Sequence, residues 1–281
     1  MTDALPPPKA GTVGLHAGIP FDDYADAPGL SISRLKMIED SPARARFGEF
    51  KETASMRAGT LLHTTLLEPH ALEVRYMGVD LNRRGTKAWK ALEEKAEAEG
   101  KTIVKLEELD TARRQRDALL RHPVAGQILT PAMAVEQSMW WRDEETGLLL
   151  RGRADGVRRD LRCLVDAKTA QSASQQGFTQ AVRRYRYDWQ DAHYREGMRE
   201  VEGWYPDTFV FVVVEPSVPH LVACYELDDA TVSKAHEKIA DARRQWLRCT
   251  REEEAGTSPD EAWPGYPATL TSISLENSEY E

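Results

Sequence analysis

Leu148-Leu-Leu-Arg-Gly-Arg-Ala-Asp-Gly-Val157, a polar Arg158-Arg-Asp160, then Arg162-Cys-Leu-Val-Asp-Ala167 followed by Lys168 decide the fold. Each apolar run has strand length, and the polar Arg158-Arg-Asp160 between them suits a tight turn at 158–161. Upstream, Ala134-Val-Glu-Gln-Ser-Met-Trp-Trp141 reads as another strand, joined through the turn-like Asp143-Glu-Glu-Thr-Gly147. The three form an antiparallel meander. Asp155 ends one strand of this hairpin and Asp166-Ala-Lys168 ends the next, so the turn should bring the two carboxylates side by side. Alternation along a strand puts Asp166 and Lys168 on one face.

Working outward, the period changes. A long helical stretch is expected from about Ser174 to Val201. Thr208-Phe-Val-Phe-Val-Val-Val-Glu215, bounded by Asp207 and Pro216, fits a central strand buried on both faces. Leu221 to Leu227 adds a strand and Asp229 to Arg248 a helix. On the N-terminal side, helices are expected at Ser31 to Glu39, Ser55 to Leu67, Lys87 to Glu99 and Leu106 to Leu120, broken by Pro42, Pro69 and His122-Pro123. The domain plan is an irregular, Pro- and Gly-rich arm over 1–30, a catalytic domain over 31–250 with a helical insertion at about 85–122, and an acidic tail over 251–281. Alternating strand and helix patterns make the fold class α/β, a mixed central sheet with an antiparallel meander, flanked by helices.

The 281 residues carry a net charge of −9 and are 41% hydrophobic, a composition of globular rather than disordered chains. The acidic excess sits in the tail, with one basic and eight acidic residues from Arg251 onward; from Arg151 to Arg199 there are 11 basic and six acidic residues. This positive middle suits phosphates, although solvated faces would also explain its arginines. No apolar run is long enough for a membrane span. The N-terminus lacks the basic start and apolar stretch of a secretory signal, so a cytoplasmic location is expected. Cys163, Cys224 and Cys249 are odd in number and widely spaced, against a disulfide framework or a cysteine cluster.

Two converging carboxylates suit a hard divalent cation such as Mg²⁺, with Mn²⁺ as a substitute. A lysine beside that cation offsets charge on phosphate oxygens. An isolated Asp-x-Lys is ordinarily a surface ion pair; its company changes the reading. His63, in Gly59-Thr-Leu-Leu-His63, supplies an imidazole one helical turn from Gly59, which would permit close backbone approach. Gln190 and Tyr194, with Tyr187 three residues earlier, present an amide and two phenols on one helix face. Glu136 on the first meander strand is a further acid on the same side. His193 points elsewhere and reads as structural. Trp263 and Tyr266 either offer rings for stacking on a ligand or pack the tail against the core, and packing is the simpler reading.

The order Gly-x-x-x-His, Asp, Asp-x-Lys, Gln-x-x-x-Tyr resembles the PD-(D/E)xK nuclease superfamily, particularly its RecB-like branch. Gly59-Thr-Leu-Leu-His-Thr-Thr-Leu-Leu-Glu-Pro69, Arg151-Gly-Arg-Ala-Asp155 and Val165-Asp-Ala-Lys-Thr-Ala170 look like phage-type RecE exonucleases. The likeness spans about Leu30 to Tyr266, with Ala154 where the superfamily motif has proline. It implies a restriction-endonuclease-like core and a Mg²⁺-dependent exonuclease that resects linear duplex DNA 5′ to 3′. The 3′ overhang would go to a single-strand-annealing recombinase, and the enzyme would be a ring-shaped homo-oligomer, trimer or tetramer. By that resemblance Asp155, Asp166, His63 and the Ala167 carbonyl bind metal, Lys168 is catalytic, and Gln190 and Tyr194 support the site. Arg153, Arg183, Arg184 and Arg186 are the expected DNA contacts. Another RecB-like nuclease, cutting internally or on single strands, and a silent DNA-binding module of the same fold are the alternatives.

Overall fold

The computed structural model describes residues 9–49, 53–81 and 83–272; the Pro-rich start at 1–8 and the last part of the acidic tail at 273–281 lie outside the described residues. Nine strands occur among these: β1 Gly14–His16, β2 Leu30–Ser31, β3 Tyr76–Val79, β4 Thr102–Lys105, β5 Ala134–Arg142, β6 Leu149–Arg158, β7 Cys163–Thr169, β8 Thr208–Val214 and β9 Val222–Tyr225. The main sheet runs β1-β5-β6-β7-β8-β9, with β2 laid parallel on β6. The expected meander is present: β5 pairs antiparallel with β6 and β6 with β7. Its first turn closes because Gly147 takes φ +71° and the Asp143 carboxylate accepts from the Thr146 amide at 2.9 Å.

β7 then pairs parallel with β8 over its whole length, which requires a crossover. Two helices supply it, Gln175–Tyr185 and Tyr187–Glu202, rather than the single long helix expected. Arg186 breaks them with φ +53°. Neither Gly nor Pro marks the break. Tertiary contacts hold it: the Arg186 guanidinium lies 4.7 Å from the Trp189 ring centre and pairs with Glu39 at 2.6 Å.

Burial on both faces of β8 follows from its unbroken apolar sequence. Phe209, Phe211 and Val213 join the core built with Leu35, Ile38, Trp189, Met198, Ile239 and Ala242. Val212 and Val214 join the opposite core with Leu62, Leu119 and Ile128. The sheet therefore separates the Tyr187–Glu202 and Asp229–Glu254 helices from the Ala54–Leu67 and Leu106–Arg121 helices. Residues that meet at the site come from both layers.

Three regions depart from expectation. The stretch before Leu30 is not wholly irregular: β1 pairs antiparallel with β5, and a helix forms at Phe21–Asp26. Its order comes from donors outside it, which sequence periodicity cannot reveal. Arg151 donates to the carbonyls of Tyr24, Ala25 and Ala27, and Trp140 Nε1 to that of Pro28 at 3.0 Å. The insertion is not wholly helical, since β4 lies between the Lys87–Ala98 and Leu106–Arg121 helices and pairs parallel with β3. Its buried part, Ile103 and Val104, is too short to show a period.

The third departure is the tail. The preceding helix runs to Glu254 rather than ending near Arg248, while Trp263 packs as expected, 2% exposed in the main core. Its ring meets Trp246 edge-on at 5.0 Å, and its Nε1 donates to Glu253 at 2.6 Å. Glu253 also pairs with Arg46 at 3.0 Å, so this acid is engaged, while Tyr266 is exposed. Trp263→Ala is expected to destabilise the fold by about 3 kcal/mol or more in chemical denaturation, as large-to-small changes in a closed core do. A loss below about 0.5 kcal/mol, the scale of an ordinary surface change, would show that the tail merely rests on the core. Among the described residues, no helix is long and apolar enough to cross a membrane.

Candidate metal and catalytic site

Three acids fall level on three adjacent strands. Val135 pairs with Gly156 and Gln137 with Ala154, which sets Glu136 opposite Asp155; Gly156 pairs with Val165, so the next step sets Asp155 opposite Asp166. Neither of these two pairings is part of the β5–β6 or β6–β7 ladder. Instead the Ala167 amide donates to Asp155 Oδ2 at 2.8 Å, a side chain filling the place of a strand neighbour. The opening of the sheet at this level makes the site.

On one side of Asp155 stands the helix layer. His63 Nε2 lies 2.7 Å from the Ala167 carbonyl oxygen and 3.5 Å from Asp155 Oδ2. The first contact needs a proton on Nε2, so one N–H hydrogen points into a niche of oxygens, an electrostatic position that also suits a small cation. Glu136 completes the group: ligand atoms of His63, Glu136 and Asp155 all lie within 4.8 Å of one another. One imidazole, two carboxylates and a carbonyl are a donor set fit for Mg²⁺ or Mn²⁺. Gly59 is not needed for close approach, because a Cβ there would meet only Thr169 Oγ1, at 4.0 Å.

On the other side stands Lys168. Asp166 is 2% exposed. Its Oδ2 is 2.5 Å from Lys168 Nζ, and its Oδ1 accepts from Gln190 Nε2 at 2.6 Å. The expected shared face of Asp166 and Lys168 is thus realised, and Gln190 reaches the same carboxylate from the Tyr187–Glu202 helix. Tyr187 lies beneath the ammonium, its ring centre 4.9 Å from Nζ. Tyr194 does not touch these groups directly in any hydrogen bond; it packs under β6, where a Cβ on Gly152 would meet its ring at 3.0 Å. Burial raises the Tyr194 phenol well above its ordinary pKa, so it stays neutral.

The electrostatics follow from burial with charge crowding. Burial, then Asp166, push the Asp155 carboxyl up to about 7, while His63 pulls it down. Burial opposes the His63 imidazolium, yet the Asp155 carboxylate beside it helps lift its pKa above the ordinary histidine value. Burial also opposes the Lys168 ammonium, but Asp166 and then Asp155 hold its pKa above that of a free lysine. Lys168 is therefore a fixed positive charge.

Sequence reasoning missed Lys36, which nothing in its helix pattern distinguishes. Its Nζ donates to the Tyr185 carbonyl at 2.8 Å and stands 5.8 Å from the Tyr187 ring centre, the ring that Lys168 also faces. Burial, then Lys168, lower it to about 7. The four expected DNA contacts divide. Arg183 and Arg184 are exposed on the helix after β7. Arg186 is held in a surface pair with Glu39, whereas Arg153 faces inward, pairing with Glu136 and donating to the Ile19 carbonyl at 2.8 Å. His193 is structural, bonded to the Arg151 carbonyl at 3.0 Å and to Arg243 at 3.2 Å.

A cleft of about 1610 Å³ begins at Thr169, one residue beyond Lys168. The Ala54–Leu67 helix, the β3–β4 insertion and the Gln175–Tyr185 helix wall it, with Arg57, Arg84 and Arg184 among its lining.

Residues 31–262 match the family described as a PDDEXK-like domain of unknown function (DUF3799). No curated protein matches the chain in sequence. Among solved structures, a protein of Eubacterium rectale provisionally described as an exonuclease is 14% identical, with a TM-score of 0.60 over 94% of this chain and 98% of that one. That likeness concerns the fold. A phage-related exonuclease of Haemophilus somnus is 12% identical with a TM-score of 0.35, over 80% and 96% of the two chains. An alkaline exonuclease of Laribacter hongkongensis is 11% identical with a TM-score of 0.27, over 81% and 93%. The chain belongs to the PDDEXK-like family DUF3799, within the PD-(D/E)xK nuclease superfamily.

Proposed function

We propose that this chain is a divalent-metal-dependent deoxyribonuclease that digests linear duplex DNA from its ends, with Mg²⁺ as cofactor and Mn²⁺ as a substitute. One observation carries the reading: a His63/Glu136/Asp155 ligand group lies on one side of the sheet opening and a lysine clamped by Asp166 on the other. His63, Asp155, the Ala167 carbonyl and Asp166 would hold the cation, whose chemistry is to polarise the phosphate and lower the pKa of an attacking water. Lys168 faces the phosphate as a permanent charge and offsets the negative charge that grows on its oxygens. Gln190 fixes Asp166 so that Lys168 keeps its place, and the half-buried Tyr187 ring limits the swing of the ammonium towards solvent. Arg183 and Arg184 meet the DNA backbone at the cleft beside Thr169.

The finer reading rests on resemblance to phage-type RecE exonucleases: 5′ to 3′ polarity, 3′ overhangs passed to a single-strand-annealing recombinase, a ring of three or four subunits enclosing the duplex, and a cytoplasmic setting. The exonuclease description of the Eubacterium rectale protein, whose fold this chain shares, agrees with action at ends.

Purified protein with end-labelled linear duplex, covalently closed circle and single strand, each with Mg²⁺ or chelator, tests the reading. Loss of linear duplex alone, only with Mg²⁺, is expected. Cutting of the circle would replace the exonuclease with an endonuclease, and binding without cleavage of any substrate would leave a DNA-binding module. Comparing 5′-phosphorylated, 5′-hydroxyl and blocked ends gives the polarity.

A further inference from the structure

We propose that Glu136 is a ligand of the site's metal ion and that Arg153 is its counter-ion in the metal-free protein, a positioning residue that the cation displaces. Glu136 does not belong to the Asp-x-Lys pattern, and its place comes from the pairing of β5: it stands level with Asp155 in the pair the ladder skips. It is also a non-glycine residue at φ +51° within a strand, a conformation that turns its side chain away from the ordinary alternation. The result is a carboxylate within 4.8 Å of both the His63 nitrogen and an Asp155 oxygen, and the Glu136 side chain is only 17% exposed. A third carboxylate in such a niche adds to the mutual repulsion of the acids unless a cation balances it.

Arg153 supplies that balance. Its Nε pairs with Glu136 Oε2, and its side chain is 10% exposed. It has a second anchor, Nη1 donating to the Ile19 carbonyl at 2.8 Å, with Tyr24 stacked 5.7 Å from the guanidinium. A cation at His63, Asp155 and the Ala167 carbonyl therefore competes with Arg153 for one carboxylate, and Arg153 keeps the Ile19 contact when it loses. The segment before β2 thereby becomes part of the metal site's support rather than a loose leader.

The proposal rests on the reading that the site binds a divalent cation, and the two are separable by titrating Mn²⁺ alone into full-length protein by calorimetry. Glu136→Gln keeps the shape and a hydrogen bond to Arg153 but is expected to weaken Mn²⁺ binding about tenfold or more. Arg153→Gln keeps a donor for Ile19 but removes the competitor, and is expected to tighten Mn²⁺ binding about threefold. A purely structural ion pair predicts something else: both variants lose thermal stability together and leave Mn²⁺ affinity alike. Each variant tests the idea alone, so failure of one to fold leaves the other decisive. Unchanged affinity in Glu136→Gln, or unchanged or weaker affinity in Arg153→Gln, overturns the proposal while the nuclease reading stands. Absence of Mn²⁺ binding by the unaltered protein overturns both.

Discussion

Lys168→Ala is expected to lower the rate of cleavage of linear duplex by about 10³-fold, the scale of removing one preorganised electrostatic group from a transition state. Binding of the same DNA with metal absent should stay within about threefold of normal, since the proposed ground-state contacts are those of Arg183, Arg184 and the cleft rather than Lys168. The geometry explains the size of the effect. The ammonium is held at 2.5 Å by Asp166, which Gln190 fixes from the other side, and lies over the Tyr187 ring. Water cannot replace a charge so placed without reorganising. Lys168→Arg is not expected to restore activity, because a guanidinium presents a planar fork where a point charge fits. Filter binding together with single-turnover cleavage separates the two steps. Cleavage within tenfold of normal would remove Lys168 from the chemistry.

Asp155→Asn has a double signature. Metal binding and cleavage should both fall, again by about 10³-fold in rate, since the carboxylate shared by His63 and the Ala167 amide is gone. The metal-free protein should nevertheless melt at a higher temperature near pH 8 than the unaltered one. The carboxyl is raised from 3.8 to about 7 in the fold, so between those values the folded state holds a proton that the unfolded chain has released. Stability from this group is complete below about pH 4 and is lost as pH rises through 7. His63 is raised as well and shifts stability in the same direction, with its contribution lost as pH climbs past its folded value. The asparagine removes both: it carries no buried charge and no longer holds a proton on His63. Melting curves of metal-free protein from pH 5.5 to 8.5 should slope downward for the unaltered chain and less steeply for the variant, in which the raised Asp191 carboxyl still contributes. A steeper fall in the variant would contradict the electrostatics described for the site.

The meander was legible because its elements each carry their own signal. Three apolar runs of strand length, a Gly147 turn and the polar Arg158-Arg-Asp160 turn leave little choice of pairing, and Asp155, Asp166 and Lys168 follow from that register. His63 and Gln190 were legible from helix periodicity joined to motif order. What was hidden depends on contacts between distant residues. The break at Arg186 is made by Glu39 and Trp189, and β1 exists because β5 offers an edge. The inward turn of Arg153 could not be read from charge patterning, because an arginine in a basic segment looks the same whether it meets phosphate or a buried glutamate. Lys36 reaches Tyr187 from another helix altogether.

Crystals grown near pH 8 and soaked in Mn²⁺ would locate the cation by anomalous scattering. The strongest peak should lie about 2.2 Å from an Asp155 oxygen, with His63 Nε2 and the Ala167 carbonyl oxygen also within coordinating distance and Lys168 close by but unligated. Manganese found only on exposed acids such as those of the tail, with none between His63 and Asp155, would show that these residues form an ion-pair cluster and not the centre of a nuclease.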